Sequence, residues 1–139
     1  MKTFIISIFV LVFMVTGFVL YTGFLIRFTD ELNLKIDTIS NFAEQEEWQE
    51  CNSSAEEFIA LWNKKKKMLS IFSNNDDIAE IEYSLCELRE NIRHNDRAET
   101  AITSSVLRAK IESLRTYETL SVENILRHTP DSTRMHTML

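Results

Sequence analysis

Residue types that carry catalysis or bind metals are few in this chain of 139 residues, and their spacing favours neither task. The three histidines, His94, His128 and His136, lack the H-x-x-E-H and E-x-x-H spacings that bring metal ligands to one face of a helix. The two cysteines, Cys51 and Cys86, have no histidine at a recognisable motif spacing, and no G-x-S-x-G motif occurs. The sequence therefore predicts a protein that is not an enzyme and that uses no metal or other cofactor.

Two acidic clusters, at residues 44–47 and 76–82, contain the oxygen ligands that calcium and magnesium prefer. Neither cluster has EF-hand spacing or a turn glycine, and solvated faces with acidic charge near helix N-termini explain both more simply. The chain has 15 basic and 21 acidic residues, a net charge of −6. This charge disfavours approach to phosphate and predicts that nucleic acid is not a partner.

A disulfide between the cysteines is disfavoured by their places on a predicted helical hairpin. With the turn near Asn74, Cys51 lies about 23 residues before it and Cys86 about 12 after it, an offset of roughly 16 Å along the helices. Bridged cysteines have Cα atoms no more than about 7 Å apart. We therefore predict that Cys51 is a small core residue and that Cys86 is a free thiol beside Leu85.

A run of four lysines is the feature most indicative of contact with something outside the chain. One interpretation is a charged end of the second helix, where cations interact favourably with the helix dipole. The other is contact with lipid headgroups or with an acidic loop of a partner, where each lysine contributes about 1 kcal/mol against an anionic leaflet and an adjacent apolar side chain enters the interface. The predicted contact residues are Lys64, Lys65, Lys66, Lys67, Met68 and Phe72.

The element that would bring these residues to a membrane is an uncharged segment of 23 residues, 4–26. As a helix it measures about 34 Å, enough to cross a hydrocarbon core of about 30 Å. A cleaved signal peptide is the alternative, with Lys2 as its basic start and Val15-Thr16-Gly17 as the cleavage site. The apolar run continues well past that site, which favours an uncleaved anchor.

The orientation in the membrane is predicted from the short N-terminal arm, because the numbers of basic residues on the two sides of the segment are nearly equal and do not decide it. Lys2 lies on one side, and Arg27 and Lys35 lie on the other. A very short arm before a long anchor usually stays in the cytoplasm. We therefore predict a single-pass protein of the cytoplasmic membrane, with its N-terminus inside and residues 27–139 outside.

Beyond the segment, apolar residues recur at spacings of three and four, which is typical of helices that bury one face. The stripes predict an all-α protein in which the transmembrane helix continues into an antiparallel bundle of three to four helices. Turns are predicted at residues 74–77, before a helix that begins near Ile78, and at residues 94–96. On the last helix the predicted seam is Ser104, Leu107, Ile111 and Leu114, with Ile102 and Val106 beside it. The predicted core anchors are Trp48, Phe58, Trp62, Ile78, Ile81 and Leu85.

The predicted organisation is an anchor at residues 1–27, a helical bundle domain at 28–126 and a disordered tail at 127–139. The tail contains Pro130 and has no apolar period. Two glycines and one proline in the whole chain are too few for a turn-rich β-sandwich or a glycine-loop nucleotide fold.

Several segments resemble a bacterial family called domain of unknown function family 4363. They are Glu46-Glu47-Trp48, Phe58-Ile59-x-x-Trp62, Lys67-Met68-x-Ser70-Ile71-Phe72, Ile78-x-x-Ile81 and residues 120–126. The resemblance covers most of the chain and implies a short, single-anchor helical protein of spore-forming, Gram-positive-type bacteria, with no established activity. The family commonly has a histidine in the turn where this chain has Asn75. Any metal or proton-transfer role of that histidine is therefore lost here.

Two functions remain compatible with these observations. The first is an interaction or assembly subunit that docks on another membrane protein or on its own copy, with membrane lipid around its anchor. The second is an extracytoplasmic module that binds a ligand or senses the lipid surface. Receptors with such modules normally have a second membrane span and a cytoplasmic output domain, which this sequence lacks.

Overall fold

A computed structural model describes the backbone of residues 1–127 and the side chains of residues 1–116. This part of the chain contains four α-helices and no strand. They are α1 (Lys2–Glu44), α2 (Trp48–Phe72), α3 (Asn75–Arg93) and α4 (Arg97–Arg127). The prediction of an all-α bundle behind a long N-terminal helix is confirmed. The predicted disordered tail, apart from Arg127 at the end of α4, lies outside the described residues.

The first helix, α1, has two halves with different surroundings. It runs for 43 residues without interruption and contains no proline. It is the helix among the described residues that is long and apolar enough to cross a membrane, and none of its most apolar stretch is buried. Its second half, from Tyr21 to Ala43, buries one stripe in the core. One rigid helix therefore connects an exposed apolar segment to the folded bundle.

The four helices pack in an up-and-down square, in which each helix contacts the next and α1 contacts α4. Helix α1 is thus one wall of the bundle, as the apolar stripe that follows the uncharged segment indicates. Polar pairs at the surface join α1 and α4: Asp37 with Arg108, and Asp30 with Arg115 at 3.1 Å. Between α1 and α2, Lys35 pairs with Glu57 at 3.1 Å.

The core anchors predicted from the sequence are not all buried to the same extent. Five of them are buried, namely Phe58, Trp62, Ile78, Ile81 and Leu85. Trp48 is only half-buried and packs against the edge of the core, because it is the first residue of α2 and adjoins a turn. On α4 the predicted seam of Ser104, Leu107, Ile111 and Leu114 is buried, and Ile102 and Val106, beside that seam, are exposed on the outward side of the helix.

Two of the three turns between the described helices use left-handed backbone without glycine. Glu46, before α2, has φ 61°, and Asn95, before α4, has φ 54°. Asn tolerates this region well, whereas Glu gives no sequence signal for it. The predicted start of the third helix near Ile78 is three residues late, because the Asn74 side chain accepts a hydrogen bond from the Asp76 N–H and begins the helix at Asn75.

Candidate functional site

The returning helix α2 ends beside the last turns of the apolar segment of α1. The ring centroids of Tyr21 and Phe72 are 4.3 Å apart. Two turns further along α1, the ring centroids of Phe28 and Trp62 are 6.3 Å apart. These two contacts place the final eleven residues of α2, 62–72, at the level of residues 21–28, where the uncharged segment is followed by the charged part of the chain.

The end of α2 exposes apolar side chains at this level. Ile71 is 71% exposed and Phe72 is 58% exposed, and Met68 is exposed on the preceding turn. Sequence reasoning selected Met68 and Phe72 but missed Ile71, which the three-residue spacing from Met68 could have indicated. Together, Met68, Ile71 and Phe72 form what we call the apolar tip of the bundle.

The four lysines of the run have four different environments. Lys66 pairs with Glu82 of α3 at 2.5 Å, so it contributes to bundle packing. The Lys65 ammonium lies 5.4 Å from the centroid of the Phe24 ring, a cation–π contact with α1. Lys64 and Lys67 are exposed, and neither has an acidic partner among the described side chains. The run is therefore not one uniform patch.

A groove between α1 and α2 opens at the same level, with a volume of about 450 Å³. Its inner end, which is the end nearer the N-terminus of α1, is apolar and includes Leu20 and Phe24. Its outer end is charged and includes Arg27, Lys65 and Glu31. Arg27 and Lys65 form no ion pair with any described acidic side chain, so their charges face the groove and solvent. The complete lining is Val19, Leu20, Gly23, Phe24, Arg27, Phe28, Glu31 and Lys65.

A second distinctive surface lies on the outward side of α4. Six exposed residues at helical spacing carry no charge there: Ala98, Ala101, Ile102, Ser105, Val106 and Ala109. We call this surface the α4 strip. Ile102 is 56% exposed although it is a large aliphatic residue. By contrast, Glu56 and Glu57 are exposed on α2, and Glu87 and Glu90 are exposed on α3.

Metal ligands do not converge within the part of the chain that the structure describes: no three His, Cys, Asp or Glu side chains come together there. His94 is exposed at the end of α3, and its Nε2 lies 3.9 Å from a carboxylate oxygen of Glu90. His128 and His136 lie outside the described residues.

Both cysteines are free, in agreement with the sequence prediction. Cys51 is buried, and its thiol donates a hydrogen bond to the Ile39 carbonyl at 3.5 Å. Burial raises the pKa of the Cys51 thiol from 9.0 to about 11. Cys86 is exposed on α3. The two thiols therefore differ in access to solvent, and burial disfavours the reactive thiolate at Cys51.

The raised pKa of the Cys51 thiol predicts that the stability of the folded chain depends on pH above pH 9. Between pH 9 and 11 the unfolded chain releases the Cys51 proton while the folded chain holds it, so the contribution of this group is full below pH 9 and declines above it. We expect a decline on the order of 2 kcal/mol in the free energy of unfolding by pH 11. Urea titrations of the chain and of Cys51→Ala measure it; equal pH dependence in both would contradict the assignment.

Comparison with known proteins supports the family resemblance found in the sequence. The family model described as Domain of unknown function (DUF4363) matches residues 19–125. Neither a curated protein nor a solved structure matches the chain at a significant level. The matched region begins within the apolar segment and includes all of α2 and α3, and most of α1 and α4. With most of its length matched by that model, the chain belongs to the DUF4363 family.

Proposed function

We propose that the chain is a membrane-anchored, non-enzymatic assembly protein whose partner is a second copy of itself. In this proposal the apolar half of α1 spans the cytoplasmic membrane once with its N-terminus inside, and the bundle lies outside. Two features support the anchor: the length of the exposed apolar segment, and its continuity with a helix that forms part of the core. The two copies are then anchored at the same depth and in the same orientation relative to the membrane.

The observation that carries the assembly role is the α4 strip. An exposed aliphatic side chain alone is ordinary, but Ile102 and Val106 lie together on a strip without charge in a chain with 26% charged residues. Alanine and serine beside them permit close approach of a partner helix. A surface of this composition is suited to packing against another helix.

A second copy fits this strip better than an unrelated partner because identical surfaces meet in a two-fold arrangement. Two copies that share one membrane orientation place the same residues of α4 at the same height. The uncharged strip then meets itself without burying any charge, whereas the outward faces of α2 and α3 carry ion pairs such as Glu56–Arg89 that a partner would have to desolvate. The charge pattern therefore favours α4 as the contact surface.

The membrane must assist this association, because the strip is small. From Ala98 to Ala109 it is roughly 17 Å long, whereas a stable interface usually buries about 800 Å² on each partner. Anchoring in one bilayer confines the copies and raises their effective concentration. We therefore expect association in membranes and little association of dilute, detergent-separated chains.

Cross-linking in native membranes tests the assembly role. In a Cys86→Ser background, which removes the exposed thiol, Ile102→Cys is expected to form a disulfide-linked dimer of the 16.3 kDa chain upon oxidation. Ser53→Cys, on an exposed part of α2, is the matched control and is expected to remain monomeric. Equal yields for the two variants, or none for Ile102→Cys, would contradict the proposal. A cross-link from Ile102→Cys to a different protein would show that this protein, and not a second copy of the chain, contacts the α4 strip.

The apolar tip favours a second candidate function, a module that contacts the lipid surface. Met68, Ile71 and Phe72 are exposed at the level of the last turns of the apolar segment, and the lysines follow on the preceding turns of α2. This order, apolar and then basic, is that of interfacial helices. The two functions are compatible, since one uses the end of the bundle and the other uses its side.

A further inference from the structure

The groove between α1 and α2 has the polarity profile of a phospholipid along its length. Val19, Leu20 and Phe24 line its inner part, Arg27 and Lys65 follow, and Glu31 lies one helical turn beyond Arg27. A glycerophospholipid has the same sequence of chemistry: acyl chain, phosphate, headgroup. In phosphatidylethanolamine the headgroup ends in an ammonium, which complements a carboxylate.

The position of the groove matches that of lipid phosphates. Arg27 is the first charged residue after the 23-residue uncharged segment. In an anchored chain, such a residue lies at the boundary between hydrocarbon and headgroups. Its long side chain extends toward the phosphate layer. The charged end of the groove is therefore at the depth where phosphates occur.

The two cations are also available for a ligand. Neither Arg27 nor Lys65 has an acidic partner among the described side chains, and the Phe24 ring holds the Lys65 ammonium at the groove. Gly23 faces open space, since a Cβ atom at this position would meet no atom within 4 Å. The inner groove thus stays open where an acyl chain would lie.

We propose that this groove binds one phosphatidylethanolamine molecule. Its phosphate lies between Arg27 and Lys65, its ammonium lies at Glu31, and its acyl chain lies along Leu20, Gly23 and Phe24. The site rests on the proposed membrane anchoring. It adds a specific lipid to the general lipid contact of the apolar tip.

Native mass spectrometry of the full chain, released from nanodiscs with equal phosphatidylethanolamine and phosphatidylglycerol, tests this site. We expect one retained phospholipid per chain, with phosphatidylethanolamine favoured about fivefold. The double variant Arg27→Gln/Lys65→Gln is expected to lower retention of both lipids roughly twentyfold or more. The control Arg93→Gln/Arg97→Gln removes the same charge from exposed positions at the opposite end of the bundle and is expected to retain lipid like the wild type.

The headgroup assignment has its own variant. Glu31→Gln is expected to remove the preference for phosphatidylethanolamine while retention of phospholipid continues. Added glycerophosphoethanolamine, which has the headgroup but no acyl chain, is expected not to displace the lipid. Preference for phosphatidylglycerol in the wild type, or equal loss in the two double variants, would overturn the site. Failure of the wild-type chain to enter nanodiscs would instead contradict the anchoring itself.

Discussion

Replacing Trp62 by alanine is expected to lower the free energy of unfolding of the bundle by about 3–5 kcal/mol, as for other large buried aromatic residues. Trp62 is 1% exposed, and its ring lies near that of Phe28 on α1. Truncation would leave a cavity between α1, α2 and α3, because a close-packed core relaxes only partly. Thermal and urea unfolding of the full chain in detergent, followed by circular dichroism at 222 nm, measures the loss.

Two further tryptophan variants test how much of this loss comes from apolar burial and how much from the buried indole N–H. The indole Nε1–H of Trp62 is buried and has no hydrogen-bond partner among the described residues. Trp62→Phe removes this donor and keeps most of the apolar volume, so it is expected to cost less than half as much as Trp62→Ala. Trp48→Ala, at the half-buried edge of the core, is expected to cost about 1 kcal/mol. Equal losses for Trp48→Ala and Trp62→Ala would show that the helix register is wrong.

Two arginines within the apolar segment are expected to abolish stable membrane insertion. Val12→Arg and Val15→Arg each place a charge near the centre of the segment, at a cost of about 2.5–3.5 kcal/mol per residue in helix-insertion measurements. Both positions are exposed and distant from the bundle core. We therefore expect the variant to shift from the alkali-resistant membrane fraction to the soluble fraction, as immunoblotting of the two fractions would show.

The matched control is Val12→Leu/Val15→Leu, which alters the same positions and keeps them apolar. It is expected to fractionate like the wild type. The bundle of the arginine variant is expected to retain its helical spectrum, because neither valine is buried against α2, α3 or α4. An arginine variant that stays in the alkali-washed membrane would show that something other than α1 holds the chain there.

Helical periodicity was sufficient to predict much of the bundle. Residues such as Phe58, Trp62 and Leu85 repeat every three or four positions, and only a helix brings them to one face. On α4 the same rule selected Leu107, Ile111 and Leu114, which are buried, and left Ile102 and Val106 beside them, where they are exposed. Periodicity alone does not say why α4 has a second apolar stripe that lies outside the core. The exposed stripe is the one that we assign to association.

The candidate site depended on distances that no local pattern contains. The contact between Tyr21 and Phe72 requires both the turn at Glu46 and the length of α2, and a glutamate in left-handed backbone gives no warning of a turn. The separate environments of Lys65 and Lys66 likewise depend on Phe24 and Glu82, which belong to other helices. Tertiary packing, and not composition, distinguishes these lysines from Lys64 and Lys67.

The intact mass of the chain recovered from alkali-washed membranes is the most direct test of the central claim that α1 is retained and spans the bilayer. The account predicts one species with the mass of the full 16.3 kDa chain in the washed membrane pellet. A shorter species in the soluble fraction, beginning at Phe18 or later, would mean that the apolar segment is a cleaved signal. Such a result would contradict the anchor and, with it, the proposed height of the groove and of the α4 strip.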